Sequence, residues 1–212
     1  MCAVVFGVTV AQAAELSVTT VAKPYEIVPM SADMSTQHIM LGALEGFPIM
    51  YEVNIASTTA LRIQVGQLYQ SDAQPIPFSV MLVRQNDDDG GVTEVARIKT
   101  KPEDWQVRKD GILGFSLWEQ EVNTTSVEPG IYRLEISTAV NQGKYRLVLG
   151  DDLVAKTGYF ATLGQVRTTQ KFFDFSIFKM LTSSYVYYPL GILLILFGFY
   201  RVNRYRKSLT NA

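Results

Sequence analysis

An all-β, antiparallel, jelly-roll-like β-sandwich followed by an amphipathic helix and one C-terminal transmembrane helix is the fold class that three features of this sequence predict. Between about residues 16 and 150, short runs alternate apolar and polar residues with period two. They are rich in Val, Ile, Tyr and Phe and are punctuated by Gly, Pro, Asn and Asp. After Gly158 the apolar spacing lengthens towards that of a helix. From Met180 to Tyr200 there is no charged residue, close to the roughly 20 residues that cross a bilayer. The 212 residues have room for one domain of ordinary size plus its targeting and anchoring segments. The expected division is a truncated signal peptide at 1–14, an extracytoplasmic sandwich at 15–155, a juxtamembrane amphipathic helix at 156–181, the transmembrane helix at 182–200 and a basic cytoplasmic tail at 201–212.

At the N-terminus, residues 3–10 are apolar and run into Ala11-Gln12-Ala13-Ala14, the small-residue pattern of a signal-peptidase site. No Lys or Arg precedes the run, so the export signal reads as incomplete; the competing reading is a first strand. The sole cysteine, Cys2, lies in this segment, so the processed chain has none and forms no disulfide. For an extracytoplasmic domain that absence points towards a bacterial source.

The expected strands are Tyr25–Val28, His38–Leu44, Ile49–Ile55, Leu61–Val65, Phe78–Arg84, Val92–Lys99, Gly114–Glu121, Ile131–Ser137 and Lys144–Leu149. Their spacing of roughly ten to fifteen residues suits an antiparallel sandwich. Two hairpins are expected. Phe78–Arg84 and Val92–Lys99 flank the turn Asn86-Asp87-Asp88-Asp89-Gly90-Gly91, and Ile131–Ser137 and Lys144–Leu149 flank a connection containing Asn141 and Gly143. In the second pair, Tyr132, Leu134 and Ile136 form one apolar face, matched by Tyr145, Leu147 and Leu149.

The run Pro129-Gly130-Ile131-Tyr132-Arg133-Leu134-Glu135-Ile136, followed by Gly143-Lys144-Tyr145-Arg146-Leu147-Val148-Leu149, resembles the last hairpin of bacterial pre-peptidase C-terminal domains and related jelly-roll modules. The resemblance spans residues 129–149 and implies a small, non-catalytic extracytoplasmic module that serves as an accessory to another protein. This chain departs from that pattern in carrying its own anchor and no attached catalytic domain.

The catalytic inventory is small. His38 is the sole histidine, and no G-x-S-x-G elbow accompanies it. Asp87, Asp88 and Asp89 form the one dense acidic cluster and are the candidate metal ligands. The spacing lacks the D-x-[DN]-x-[DN]-G pattern and distant glutamate of an EF-hand loop, so a solvated turn is the expected reading. Glu119 and Glu121, two apart on a strand, share a face and are the pair on which carboxylate-based glycan hydrolysis would rest. Trp105 and Trp118 are the candidates for stacking on a sugar or peptide.

Beyond the domain, Phe160, Leu163, Val166, Phe173, Ile177 and Met180 fall near helical spacing. They suit either a collar in the membrane interface or under the domain, or a plain stalk. Tyr185, Tyr187 and Tyr188 at one end of the apolar stretch, and Tyr200 and Tyr205 at the other, match interfacial aromatic belts. Arg201, Arg204, Arg206 and Lys207 place the tail in the cytoplasm by the positive-inside rule. Setting these four apart from the 19 basic residues leaves 15 against 20 acidic ones, a net charge of −5 on the rest, which argues against nucleic acid as a partner. The expected protein is a single-pass plasma-membrane binding or adhesion module. It is not an enzyme, needs no cofactor, and has the bilayer and another envelope protein or surface polymer as partners. The alternatives are a complex subunit assembled through its helices and a carboxylate-based glycan hydrolase.

Overall fold

The computed structural model describes residues 15–21, 23–30, 37–86, 91–98, 101–123, 126–150 and 158–210. Residues 1–14, expected above to be a signal peptide, and the aspartates Asp87, Asp88 and Asp89 lie outside them. Eleven strands are present among the described residues: β1 (Glu15–Thr20), β2 (Ile27–Pro29), β3 (His38–Glu45), β4 (Ile49–Ile55), β5 (Arg62–Leu68), β6 (Ser79–Gln85), β7 (Val92–Ile98), β8 (Gln106–Asp110), β9 (Phe115–Asn123), β10 (Gly130–Ser137) and β11 (Gln142–Leu149). Helices α1 (Tyr159–Phe172) and α2 (Ser184–Thr210) follow, separated by a 3₁₀ segment at Ile177–Thr182. The chain divides into two compact units, residues 1–108 with 116–162, and residues 109–115 with 163–212.

The first unit is the sandwich. One sheet has the order β1-β3-β11-β5-β9-β8 and the other β2-β4-β10-β6-β7. From β3 to β6 each strand crosses to the opposite sheet, as do β9, β10 and β11. The inner set β3-β11-β5-β9 over β4-β10-β6-β7 therefore has the strand order of a jelly roll. The sheets are mixed, which corrects the antiparallel expectation: β1 runs parallel to β3 and β2 parallel to β4. The cause is the alternation itself. When successive strands reverse direction and switch sheets, strands i and i+2 return to the same sheet pointing the same way, and β2 acts as the crossover that parallel neighbours require.

The second predicted hairpin is also corrected. β10 pairs with β4 and β6, whereas β11 pairs with β3 and β5. Tyr132, Leu134 and Ile136 thus meet Tyr145, Leu147 and Leu149 across the sandwich rather than side by side, and all six are buried. The connection between the strands is a corner. Thr138 N donates to Asn141 Oδ1 at 3.2 Å, Gln142 N donates to Thr138 Oγ1 at 3.1 Å, and Asn141 takes φ +48°. The first hairpin pairs β6 with β7 from Val80↔Ile98 to Gln85↔Val92, with a register shift at Leu82/Val83.

The core is tied across the two sheets by a tyrosine pair. Tyr51 of β4 and Tyr145 of β11 are fully buried, with their hydroxyls 2.9 Å apart. Burial raises the pKa of Tyr51 and pushes that of Tyr145 well up, because neither phenolate would be solvated. A pKa raised above the unfolded value of about 10 means that the pair's contribution is fully present below that pH and is lost as pH climbs through the folded-state values. Urea midpoints of the parent chain should therefore hold from neutral pH to about pH 9 and fall steeply beyond about pH 10. The Tyr51→Phe/Tyr145→Phe chain should show a much flatter alkaline limb. A parent curve with no steeper alkaline loss than the double variant would contradict this account.

In the second unit, the turn between β8 and β9 is gripped by the C-terminal segment through four successive carbonyls. Gly111 O accepts from Ser184 N at 2.9 Å, Ile112 O from Ser183 Oγ at 2.5 Å and Leu113 O from Gln170 Nε2 at 2.8 Å, while Thr182 Oγ1 lies 2.9 Å from Gly114 O. Phe115 packs on Phe173 and Phe175, with ring centroids 5.8 and 4.9 Å away. The amphipathic pattern read from Phe160 to Met180 is broken in two: α1 stops at Phe172, Asp174 takes φ +63°, and the rest winds as 3₁₀. Val166 in α1 and Phe173 just after it are buried and Leu163 is half-buried, whereas Phe160 at the start of the stripe is exposed.

Candidate functional site

The site is built on β9, whose alternation sorts its side chains between the two faces of its sheet. Trp118 and Gln120 lie opposite Gln67 and Val65 of β5, on the core side, while Glu119 and Glu121 lie opposite Gly66 and Gln64 on the outer side. Glu119 reaches a guanidinium on either side, with Oε1 3.7 Å from Arg146 Nη1 of β11 and Oε2 3.9 Å from Arg108 Nε of β8. Arg146 and Glu119 stand two strands apart. They meet over Gly66, the residue paired with both, whose missing side chain leaves the crossing clear. Glu121 Oε2 accepts from Arg62 Nη2 at 2.7 Å. The two carboxylates of the hydrolase alternative are therefore members of a network with three arginines.

A pocket of about 410 Å³ opens beside this network, on the flank where the edge strand of each sheet, β7 and β8, comes to the surface. Its lining comes from five places: Gln64 on β5, Arg97 and Ile98 on β7, Asp104 in the 3₁₀ turn Pro102–Asp104, Gln106 and Arg108 on β8, and Glu119, Gln120 and Glu121 on β9. The volume is that of a small-ligand pocket, but the lining is polar where such pockets are usually apolar. Arg97 is held in place by Glu94, through Nε–Oε1 at 3.1 Å and Nη2–Oε2 at 2.5 Å, a forked contact that raises its pKa further. Gln120 is 6% exposed. Its Nε2 donates weakly to Lys101 O at 3.4 Å, and its buried Oε1 has no hydrogen-bond partner among the described residues. A buried acceptor of this kind costs about 1–3 kcal/mol until something donates to it.

The residues singled out from sequence are distributed unevenly around this pocket. Glu119 and Glu121 line it. Trp105 is buried in the core at 4% exposure against Phe78, centroids 6.5 Å apart, so it presents no ring face for stacking. Trp118 packs against the core and meets Tyr69 edge-on at 5.1 Å. The two indoles do not make a joint surface platform. His38 is buried on β3, Nδ1 3.4 Å from Glu15 Oε2, and β3 is three strand spacings, about 14 Å, from β9. Among the described residues no three His, Cys, Asp or Glu side chains gather as a metal site. The pocket residues that sequence reading missed, Gln64, Arg97, Asp104, Gln106 and Arg108, are polar side chains on the interior strand β5, the edge strands β7 and β8 and a turn. In one dimension they look like any solvated surface.

In the second unit, Tyr187, Tyr188, Tyr200 and Tyr205 are exposed on α2, Tyr185 is half-buried, and Arg201 and Arg204 are exposed. The α2 backbone continues through Arg206 and Lys207. The stretch Ser184–Tyr205 has a mean hydropathy of 1.4, and none of it is buried.

The class of protein defined at this point is a two-sheet sandwich domain with C-terminal helices, one of them long and apolar. No protein-family model and no curated protein matches the chain. Among solved structures it is similar to the pre-peptidase C-terminal domain of collagenase from Bacillus anthracis, with TM-score 0.38 and 21% identity over 60% of this chain and 97% of that one. It is also similar to PliG of Aeromonas hydrophila, a periplasmic inhibitor of g-type lysozyme, with TM-score 0.32 and 12% identity over 64% of this chain and 97% of that one. The resemblance to a pre-peptidase C-terminal domain is thus met again among solved structures, as a weak one.

Proposed function

We propose that this chain is a single-pass membrane-anchored binding module without catalytic activity. In this reading the sandwich lies outside the cytoplasm of a bacterial cell and the tail beginning at Arg201 lies inside. The observation that carries the reading is α2: nine consecutive residues, Ile192 to Tyr200, are all exposed, an arrangement that water opposes and lipid favours. The cations after Tyr200 support the orientation. The flank pocket is the binding site, and its lining suits a polar group of another envelope protein or of a surface polymer. Glu119 and Glu121 serve there as fixed hydrogen-bond acceptors within the arginine network.

A second reading, a complex subunit held by its membrane helix, draws on the same exposure of α2 and on the open space beside Gly191 and Gly198. Crosslinking pull-downs from native membranes separate the two. They should compare the parent, a chain with residues 184–205 replaced by an unrelated transmembrane helix, and Asp104→Lys/Gln106→Lys. The expected result is retention of the partner by the helix-swapped chain and a loss of about tenfold or more in the pocket variant, since two hydrogen-bonding groups contribute roughly 1.5–3 kcal/mol. Loss on the helix swap alone would favour the subunit reading.

A further inference from the structure

We propose that Ile112, Ile177, Phe178 and Leu181 form an apolar foot that sinks into the outer interface of the bilayer beside α2, with lipid as its partner; this rests on the membrane reading of α2. Phe178 is 76% exposed, Ile177 61%, Leu181 53% and Ile112 44%. Large apolar side chains gathered at such exposure next to a membrane helix need an apolar contact. The 3₁₀ winding of Ile177–Thr182 helps to gather them. At three residues per turn, side chains i and i+3 eclipse, so Phe178 stands over Leu181 on one side of the segment. Ile112 belongs to the same place, because Ser183 Oγ donates to its carbonyl and Ser184 N to that of Gly111.

The length of α2 supplies the independent argument. The uncharged helical part, Ser184–Tyr200, rises about 25 Å at 1.5 Å per residue, some 5 Å short of a hydrocarbon layer of about 30 Å. The deficit falls at the outer end, where Tyr187 and Tyr188 are exposed in the first turns of α2. Apolar residues immediately before Ser184 extend the hydrophobic length to match the bilayer, the arrangement mismatch favours. Lys179 lies within the foot with Nζ 5.0 Å from the Phe175 ring centroid, where a cation can also meet anionic headgroups.

The test is depth measurement by spin labels on the full-length chain in Cys2→Ser background, in phosphatidylethanolamine–phosphatidylglycerol nanodiscs. Labels go on Ile177→Cys, Phe178→Cys and Leu181→Cys, with Leu194→Cys as lipid reference and the exposed Val140→Cys as water reference. We expect oxygen to reach all three foot positions and a water-soluble nickel chelate to be excluded, with an oxygen-to-nickel ratio several-fold above that at residue 140. Nickel access at the foot with residue 194 still in lipid would overturn the foot and leave the anchor standing. Nickel access at 194 as well would overturn both. Exclusion of both reagents from the foot would assign it to a protein partner and overturn the lipid proposal.

Discussion

Leu194→Arg should remove the full-length chain from the carbonate-resistant membrane fraction. Leu194 lies at the middle of the apolar stretch Ser184–Tyr205, at 63% exposure, where a spanning helix is deepest in hydrocarbon. An arginine at the centre of a span costs about 2.5–3.5 kcal/mol on the insertion scale, and the lost leucine adds about 0.5 kcal/mol. A penalty of about 3–4 kcal/mol shifts insertion by two to three orders of magnitude. Cations already at the C-terminal end of α2, Arg201 and Arg204, do not offset it, since residue 194 is about two helical turns from the nearer of them and too deep for easy snorkelling. Leu194→Ile, of equal volume and apolarity, should fractionate like the parent. If Leu194→Arg stays as firmly in the membrane pellet as the parent, α2 does not span, and its exposed apolar face must be covered by another protein chain.

The part of this architecture that sequence disclosed is the part written in apolar periodicity. β3, β4, β6, β7, β10 and β11 lie within a residue or two of their expected limits, because each buries one alternating face or stands beside a strand that does. β1 and β8 went unread. ELSVTT and QVRKD are edge segments, mostly exposed, held by backbone hydrogen bonds that leave no trace in side-chain type. The placing of β10 and β11 in opposite sheets was equally hidden: an apolar face facing its match across a core and one lying beside its match in a sheet give the same alternation. For the site, Glu119 and Glu121 were visible as a pair on one face. Their arginine partners on β5, β8 and β11 come from positions scattered over 84 residues of chain, from Arg62 to Arg146, and are assembled only by strand order. Trp105 shows the opposite failure, for an aromatic beside a polar turn reads equally well as a platform or as core.

Gly42→Ala should be the most damaging single-methyl change in the sandwich. Gly42 on β3 is directly paired with Tyr145 on β11, and the tyrosine ring lies over it. A Cβ at residue 42 would fall 2.2 Å from both Cζ and the hydroxyl oxygen of Tyr145, far inside van der Waals contact. The ring is also confined by Phe78, edge-on at 5.6 Å, and by the hydroxyl bond to Tyr51, so it has no free direction in which to move. Displacing it costs about 1–3 kcal/mol of overpacking, and breaking the hydroxyl pair adds roughly 1–3 kcal/mol for polar atoms stranded in the core. Against a total stability of about 5–15 kcal/mol, a loss of about 2–6 kcal/mol should lower the thermal midpoint of the detergent-solubilised chain by on the order of 10 °C. Tyr145→Leu vacates the space that the new methyl needs. Gly42→Ala/Tyr145→Leu should accordingly be less destabilised than the sum of the single changes by at least about 1 kcal/mol, a coupling that residues sharing one volume show and independent sites do not. Additive losses in that cycle, or a Gly42→Ala chain as stable as the parent, would mean that Tyr145 does not lie over Gly42 and that the tyrosine pair is not what joins the two sheets.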